Sequence, residues 1–121
     1  STLMKSERGT KLVYVAHPIS GDVEGNIKSV LQICKEIHTK RTVPFAPYIV
    51  ALQYLNDDIP KERRLGADAN AMYFKAGIVD ELWLYGDKIS PGMAEEVVLC
   101  RELGIPIRAK SAGTMRELKN F

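Results

Sequence analysis

The chain has 121 residues and a mass of 13.5 kDa, with 45% of residues hydrophobic and 26% charged; that is enough for one domain with one core and too little for two. Seventeen basic against 15 acidic residues leave a formal charge of +2, and the basic residues are scattered apart from Lys61, Arg63 and Arg64, which excludes the electrostatic footprint of a nucleic-acid binder and favours a small ligand. No apolar run approaches the ~18 residues that span a bilayer, and the opening STLMKSERGT lacks the hydrophobic stretch of a secretion signal. The expected compartment is therefore the cytoplasm, with no membrane partner. Cys34 and Cys100 fall on apolar helix faces, where a thiol behaves as a small hydrophobe, and with two separated histidines they supply neither a disulfide framework nor a metal-ligand cluster.

Residues 1–10 are polar and unpatterned, a loose tail ahead of a domain over 11–121. KLVYVA, residues 11–16, is β-branched and aromatic and is followed by the breakers Pro18 and Gly21, which predicts a buried strand. Between Asp22 and Lys40 the apolar residues Val23, Ile27, Val30, Leu31, Cys34 and Ile37 recur at helical spacing, opposite Lys28, Lys35 and Lys40. TVPFA, residues 42–46, reads as a second strand, on an edge because Pro44 cannot donate to a ladder. A short helix is expected after Pro47, ending near Asn56, with Asn56, Asp57 and Asp58 as turn residues. Pro60 opens a further helix over Lys61–Gly77, weakened at Gly66. ELWLYG, residues 81–86, is a third strand carrying a core Trp83, residues 105–109 a fourth, and Met115–Lys119 a short tail helix.

Strands alternating with helices imply parallel pairing through right-handed crossovers. The expected fold is α/β, a single-domain Rossmann-like three-layer arrangement with a small parallel sheet and helices on both faces. Ligands in such sheets bind beyond the carboxyl ends of the strands, which directs attention to HPISGD after the first strand and GDKISPG after the third. Each loop leads directly into a helix start, where free N–H groups and the helix dipole favour an anion. Ser20 and Gly21 on one side, and Ser90 and Gly92 on the other, permit close backbone approach, or simply make turns and caps.

The helix after the third strand has sharp boundaries. Ser90 is a good N-cap and Pro91 a good first residue; Gly104 ends it at Leu103, with Pro106 beyond. In that register Glu96 shares the apolar stripe of Met93, Leu99, Cys100 and Leu103, whereas Glu95 lies beside Val98 and Glu102. A carboxylate on an apolar stripe is costly to bury and needs a partner, a cleft or a function.

VYVAHPISG, FAPY and DELWLYGDKISPGMAEEVVLCRELGIP together resemble the nucleoside 2-deoxyribosyltransferase superfamily, most closely its small members built around an S-x-G-M-x-x-E motif, and are similar to 2′-deoxynucleoside 5′-monophosphate N-hydrolases. The resemblance runs over about residues 11–108. It implies that Glu96 is a nucleophile attacking the anomeric carbon, a step that splits N-glycosidic cleavage into two easier ones. It further implies that Tyr14 stands beside that nucleophile, and that Ser90 with Pro18, Ile19 and Ser20 binds the 5′ oxygen or phosphate. No metal or organic cofactor is implied.

The chain also departs from the pattern. Ser20 stands where the hydrolase branch commonly has Arg. An Asp that works on the base would fall near Met72, and the nearest carboxylate is Asp68, about one helical turn earlier; either a local insertion at Gly77 and Ile78 brings Asp68 into register as that catalytic acid, or the second acid is absent. His17 replaces a frequent Gly and either lines the base pocket or is an ordinary loop histidine. Arg63 and Arg64 form a solvated helix face or a phosphate contact, and Tyr48 stacks on a base or packs. The expected function is cleavage of the N-glycosidic bond of a nucleoside or nucleoside 5′-monophosphate, by hydrolysis or base exchange; the alternative is a non-catalytic module that binds such a ligand. YIVALQYL and AMYFKAG carry more apolar surface than a small sheet covers, and the resembling proteins are oligomers, so a homo-oligomer, a dimer or higher, is expected.

Overall fold

In the computed structural model, which describes residues 9–121, four strands pair in parallel in the order β2-β1-β3-β4: β1 Lys11–Ala16, β2 Thr42–Phe45, β3 Glu81–Leu84 and β4 Ile107–Ala109. The expected loose tail, apart from Gly9 and Thr10, lies outside the described residues. Five helices complete this part of the chain: α1 Val23–Ile37, α2 Tyr48–Ala51, α3 Pro60–Lys75, α4 Pro91–Leu103 and α5 Ala112–Leu118. The architecture is the expected α/β fold. Pro44 sits on the edge strand β2, as its missing N–H requires.

Element ends differ where local hydrogen bonding intervenes. α1 stops at Ile37 because Thr39 Oγ1 accepts from the N–H groups of Arg41 and Thr42 and turns the chain into β2. The segment after Pro47 gives a single helical turn rather than a helix to Asn56. α5 begins at Ala112, three residues before the expected start, because Ser111 and Thr114 form a reciprocal capping box.

Alternation along the strands divides the core. Tyr14, Ala16, Leu82 and Leu84 meet Phe74 of α3 and Met93, Val97 and Cys100 of α4. Val13 and Val15 point to the opposite face, where α1 buries Val30. Trp83 is on that second face too, buried as expected, with the Lys11 and Lys110 ammonium groups 5.1 and 4.2 Å from its ring centre. Both cysteines are free thiols, Cys100 buried and Cys34 half-buried. Among the described residues no helix is long and apolar enough to cross a membrane.

The topology places the ligand crevice. β1 connects outward to β2 on one side while β3 and β4 lie on the other, so the direction of winding reverses between β1 and β3. These two strands end level, Ala16 opposite Leu84, and the Tyr85 N–H donates to the Ala16 carbonyl at 2.9 Å. The loops that follow them therefore emerge side by side.

Candidate active site

A cavity of about 620 Å³ opens at this point. Its walls are the loop after β1, the α2 turn, the inner face of α3 and the first turns of α4. The α4 start forms as its residues dictate: Ser90 Oγ accepts from the Met93 N–H at 3.3 Å, and Pro91 begins the helix. Glu96 lines the cavity from the second turn.

Glu96 keeps partial exposure to the cavity, yet its carboxyl lies deep enough that burial raises its pKa to about 7. The neighbouring Tyr14 hydroxyl opposes this rise and the charge of Glu95 adds to it. Around it stand protic groups that carry no charge at neutral pH. Tyr14 is wholly buried at the centre of β1, and among the described residues its hydroxyl has no hydrogen-bond partner of acceptable geometry. Burial first, then the Glu96 charge, raise its pKa well above the ordinary phenol value. Tyr48 is held by a 2.5 Å hydrogen bond to the Val15 carbonyl, and burial followed by Glu96 moves it the same way. Cys100, one turn along α4, is pushed up to about 12 by burial and by Glu96. The rings of Tyr14, Phe74 and Tyr48 pack at centroid distances of 4.5 and 5.8 Å and form the floor behind the carboxyl.

The two loops are braced from outside the cavity. Asn26 of α1 donates its amide to the Ile19 carbonyl at 2.8 Å. Gly86, at φ +94°, lets the β3 loop approach the first loop; a Cβ there would lie 2.5 Å from Pro18 Cδ. α5 clamps the β3 loop from behind: Ser111 Oγ donates to the Gly86 carbonyl at 2.6 Å, Thr114 Oγ1 to the Leu84 carbonyl at 3.1 Å, and Glu117 accepts from the Ile89 N–H at 2.8 Å. Gly113 is required at that contact, since a Cβ would meet the Asp87 carbonyl oxygen at 2.0 Å.

Of the residues singled out in the sequence, His17, Pro18, Ile19, Ser20, Ser90, Gly92 and Glu96 line one cavity. Tyr14 lies behind it, next to Glu96, and Gly21 lies off the wall in an open turn at φ +95°. His17 Nδ1 donates to the Pro18 carbonyl at 2.6 Å, an assignment that follows from the partner being an acceptor. Tyr48 both lines the cavity and packs.

Two expectations need correction. Asp68 does not line the cavity: its side chain is 65% exposed and pairs at 2.9 Å with Arg64, four residues earlier on α3 and itself on the cavity wall. The expected pair of anion-ready helix starts is reduced to one, because the Asp22 carboxylate caps α1 by accepting from the Gly25 N–H at 3.1 Å. A carboxylate already in that position satisfies the donor and repels a second anion. Of these two starts it is that of α4, with its neutral Ser90 cap and an uncrowded Gly92, that offers N–H groups to a ligand.

Sequence reasoning missed Asn70, Asp57 and Lys88, all on the cavity wall, and the bracing Asn26. Asn70 was legible in principle. Counting back from a buried Phe74 at helical spacing gives Ala71 and Asn70, then Ala67, then Arg63, the face that α3 presents to the cavity.

The chain belongs to a domain family of unknown function, DUF7768, whose pattern matches residues 11–110. That span holds every cavity-lining residue, while the clamp helix α5 follows it. Neither a curated protein nor a solved structure matches the chain.

Proposed function

We propose that this DUF7768 member cleaves the N-glycosidic bond of a nucleoside or nucleoside 5′-monophosphate, with Glu96 as the nucleophile. The observation that carries the reading is the Glu96 carboxyl itself, removed from water at the carboxyl ends of β1 and β3 and open to a cavity of nucleoside size. The resemblance of SPGMAEE to the superfamily motif supports the same assignment. In this reading the ionised carboxylate attacks C1′ as the base departs, and water or an incoming base then resolves the glycosyl ester. Tyr14 steadies the ionised form, and the rigid aromatic floor limits the reorientation needed in the transition state.

The 5′ end of the ligand belongs at the α4 start, against the Gly92 N–H and the Ser90 hydroxyl. Lys88 and Arg63 line the same cavity and favour a negative charge there. A cytoplasmic nucleotide pool is the setting that fits. The second reading, binding without turnover, draws on the outward position of Asp68, which leaves the base side without the expected acid.

The deciding experiment is incubation with a panel of nucleosides and 5′-monophosphates, with and without an acceptor base, followed by chromatography for free base. Release that disappears in Glu96→Gln supports the glycosidase; tight binding with no release supports the module. Val50, Tyr54, Leu65 and Met72 on α2, α3 and the turn between them are exposed, and we assign this surface to self-association. Sedimentation at micromolar concentration is expected to show a dimer or larger species, and a monomer would reject it.

A further inference from the structure

Breaking a C1′–N bond to a neutral base leaves the electron pair on a ring nitrogen, and an acid that protonates that nitrogen is typically worth about 10²–10⁴-fold. The cavity holds Glu96 as a nucleophile, but the candidate donors around it are poorly suited to that second task. Asp68 is exposed and off the cavity wall, tied to Arg64. His17 Nδ1 is committed to the Pro18 carbonyl at 2.6 Å. Asp57 and Glu95 line the cavity at exposed positions rather than on its half-buried α3 wall. α3 lines the cavity with the exposed cations Arg63, Arg64 and Lys75 and, between them, with the half-buried and uncharged Asn70, set among Ala67, Ala71 and Phe74. Its amide makes no hydrogen bond within the described residues. Asparagine is a poor helix former, and at an inward, half-buried position among alanines it contributes nothing to the helix that alanine would not.

From this arrangement we infer that the site acts on N-glycosides whose base is already cationic, a pyridinium or a ring-alkylated purine, with Asn70 holding the base through its amide. This rests on the glycosidase reading and narrows it. The electron balance then closes without a general acid. Glu96 Oε forms the bond to C1′; the C1′–N bond breaks and its electron pair neutralises the ring's positive charge, so the base leaves as a neutral molecule. Water attacks the glycosyl ester, Glu96 is regenerated as a carboxylate, and the proton goes to solvent. An amide suits this chemistry because it orients the base by donating and accepting hydrogen bonds while adding no charge that would pin the cation in the ground state.

The test compares 7-methylguanosine with guanosine, and nicotinamide riboside with adenosine, as ribosides and as 2′-deoxyribosides, each rate corrected for that of Glu96→Gln. Wild type is expected to release the cationic base at least about 100-fold faster than its neutral counterpart at pH 7, the lower bound of what an absent general acid forfeits. Asn70→Asp, which places an acid on the inner face of α3, is expected to shrink that ratio at least fivefold, with the gain in guanosine cleavage greatest at low pH. Asn70→Ala, favourable to the helix, is expected to raise KM for both members of each pair. Equal release of cationic and neutral bases by wild type, or a ratio unmoved in Asn70→Asp, overturns the inference and leaves the glycosidase reading standing. Release of neither class by wild type removes both.

Discussion

Glu81 and Glu96 are both carboxyls withdrawn from water, one on each side of the sheet, and their surroundings drive them apart. Glu81 is 2% exposed on β3. Burial alone would raise its pKa, but the Trp83 indole N–H at 3.0 Å, Arg108 at 2.7 Å and Lys11 at 3.3 Å outweigh burial and hold it at about 2. Glu96 faces phenols, a thiol and a second carboxylate, with burial dominant, and stands at about 7. The difference separates an acid that ties the fold together from one that is kept reactive: the first is given cations and loses all tendency to react, the second is denied them.

The sharpest way to break this comparison is to neutralise each member and measure turnover. Glu96→Gln is expected to reduce base release by at least about 10³-fold, as loss of a nucleophile does, while Glu95→Gln retains most of it. Because attack requires the ionised form, the wild-type rate should climb with pH and level off above about 7. Equal losses from both variants, with folding intact, would reject the assignment of Glu96.

Stability measured against pH tests the same contrast from the other side. The folded pKa of Glu81 lies below its unfolded value, so its stabilisation is complete above about 4.5 and is lost as pH falls toward 2. Glu81→Gln should therefore cost about 2–3 kcal/mol at pH 7 and converge with wild type near pH 2. The folded pKa of Glu96 lies above its unfolded value, so ionisation opposes folding; the cost is absent below about 4.5 and full above about 7. Glu96→Gln should stabilise the protein by roughly 2 kcal/mol at pH 8 and leave it unchanged at pH 4. Urea titrations at these pH values give both curves, and a destabilised Glu96→Gln at pH 8 would show that the carboxylate serves the fold.

The smallest effect is expected at Asp68. An exposed pair four residues apart on a helix contributes at most a few tenths of a kcal/mol, so Asp68→Asn should leave stability nearly unchanged and turnover within about twofold. A large loss of turnover would mean that α3 rotates to bring Asp68 inward when ligand binds.

The elements that are closed by their own residues could be read without the structure. Ser90, Pro91 and Gly104 set the ends of α4, and with the ends set, helical spacing separated Glu96 from Glu95; β-branched runs between breakers located the strands, and Pro44 marked the edge. These depend on contacts within a few residues. What only the tertiary structure decided is what stands opposite what. α3 carries too weak an apolar stripe, with Gly66, Ala67, Ala69 and Ala71 along it, for its rotation to be judged from spacing, and two residues of phase separate an outward Asp68 from an inward Asn70. The Asp22 cap that closes one helix start and the α5 clamp on the β3 loop likewise join groups by folding. A side chain's role at such a site depends on distant neighbours and on the dielectric they create, and neither is encoded in local spacing.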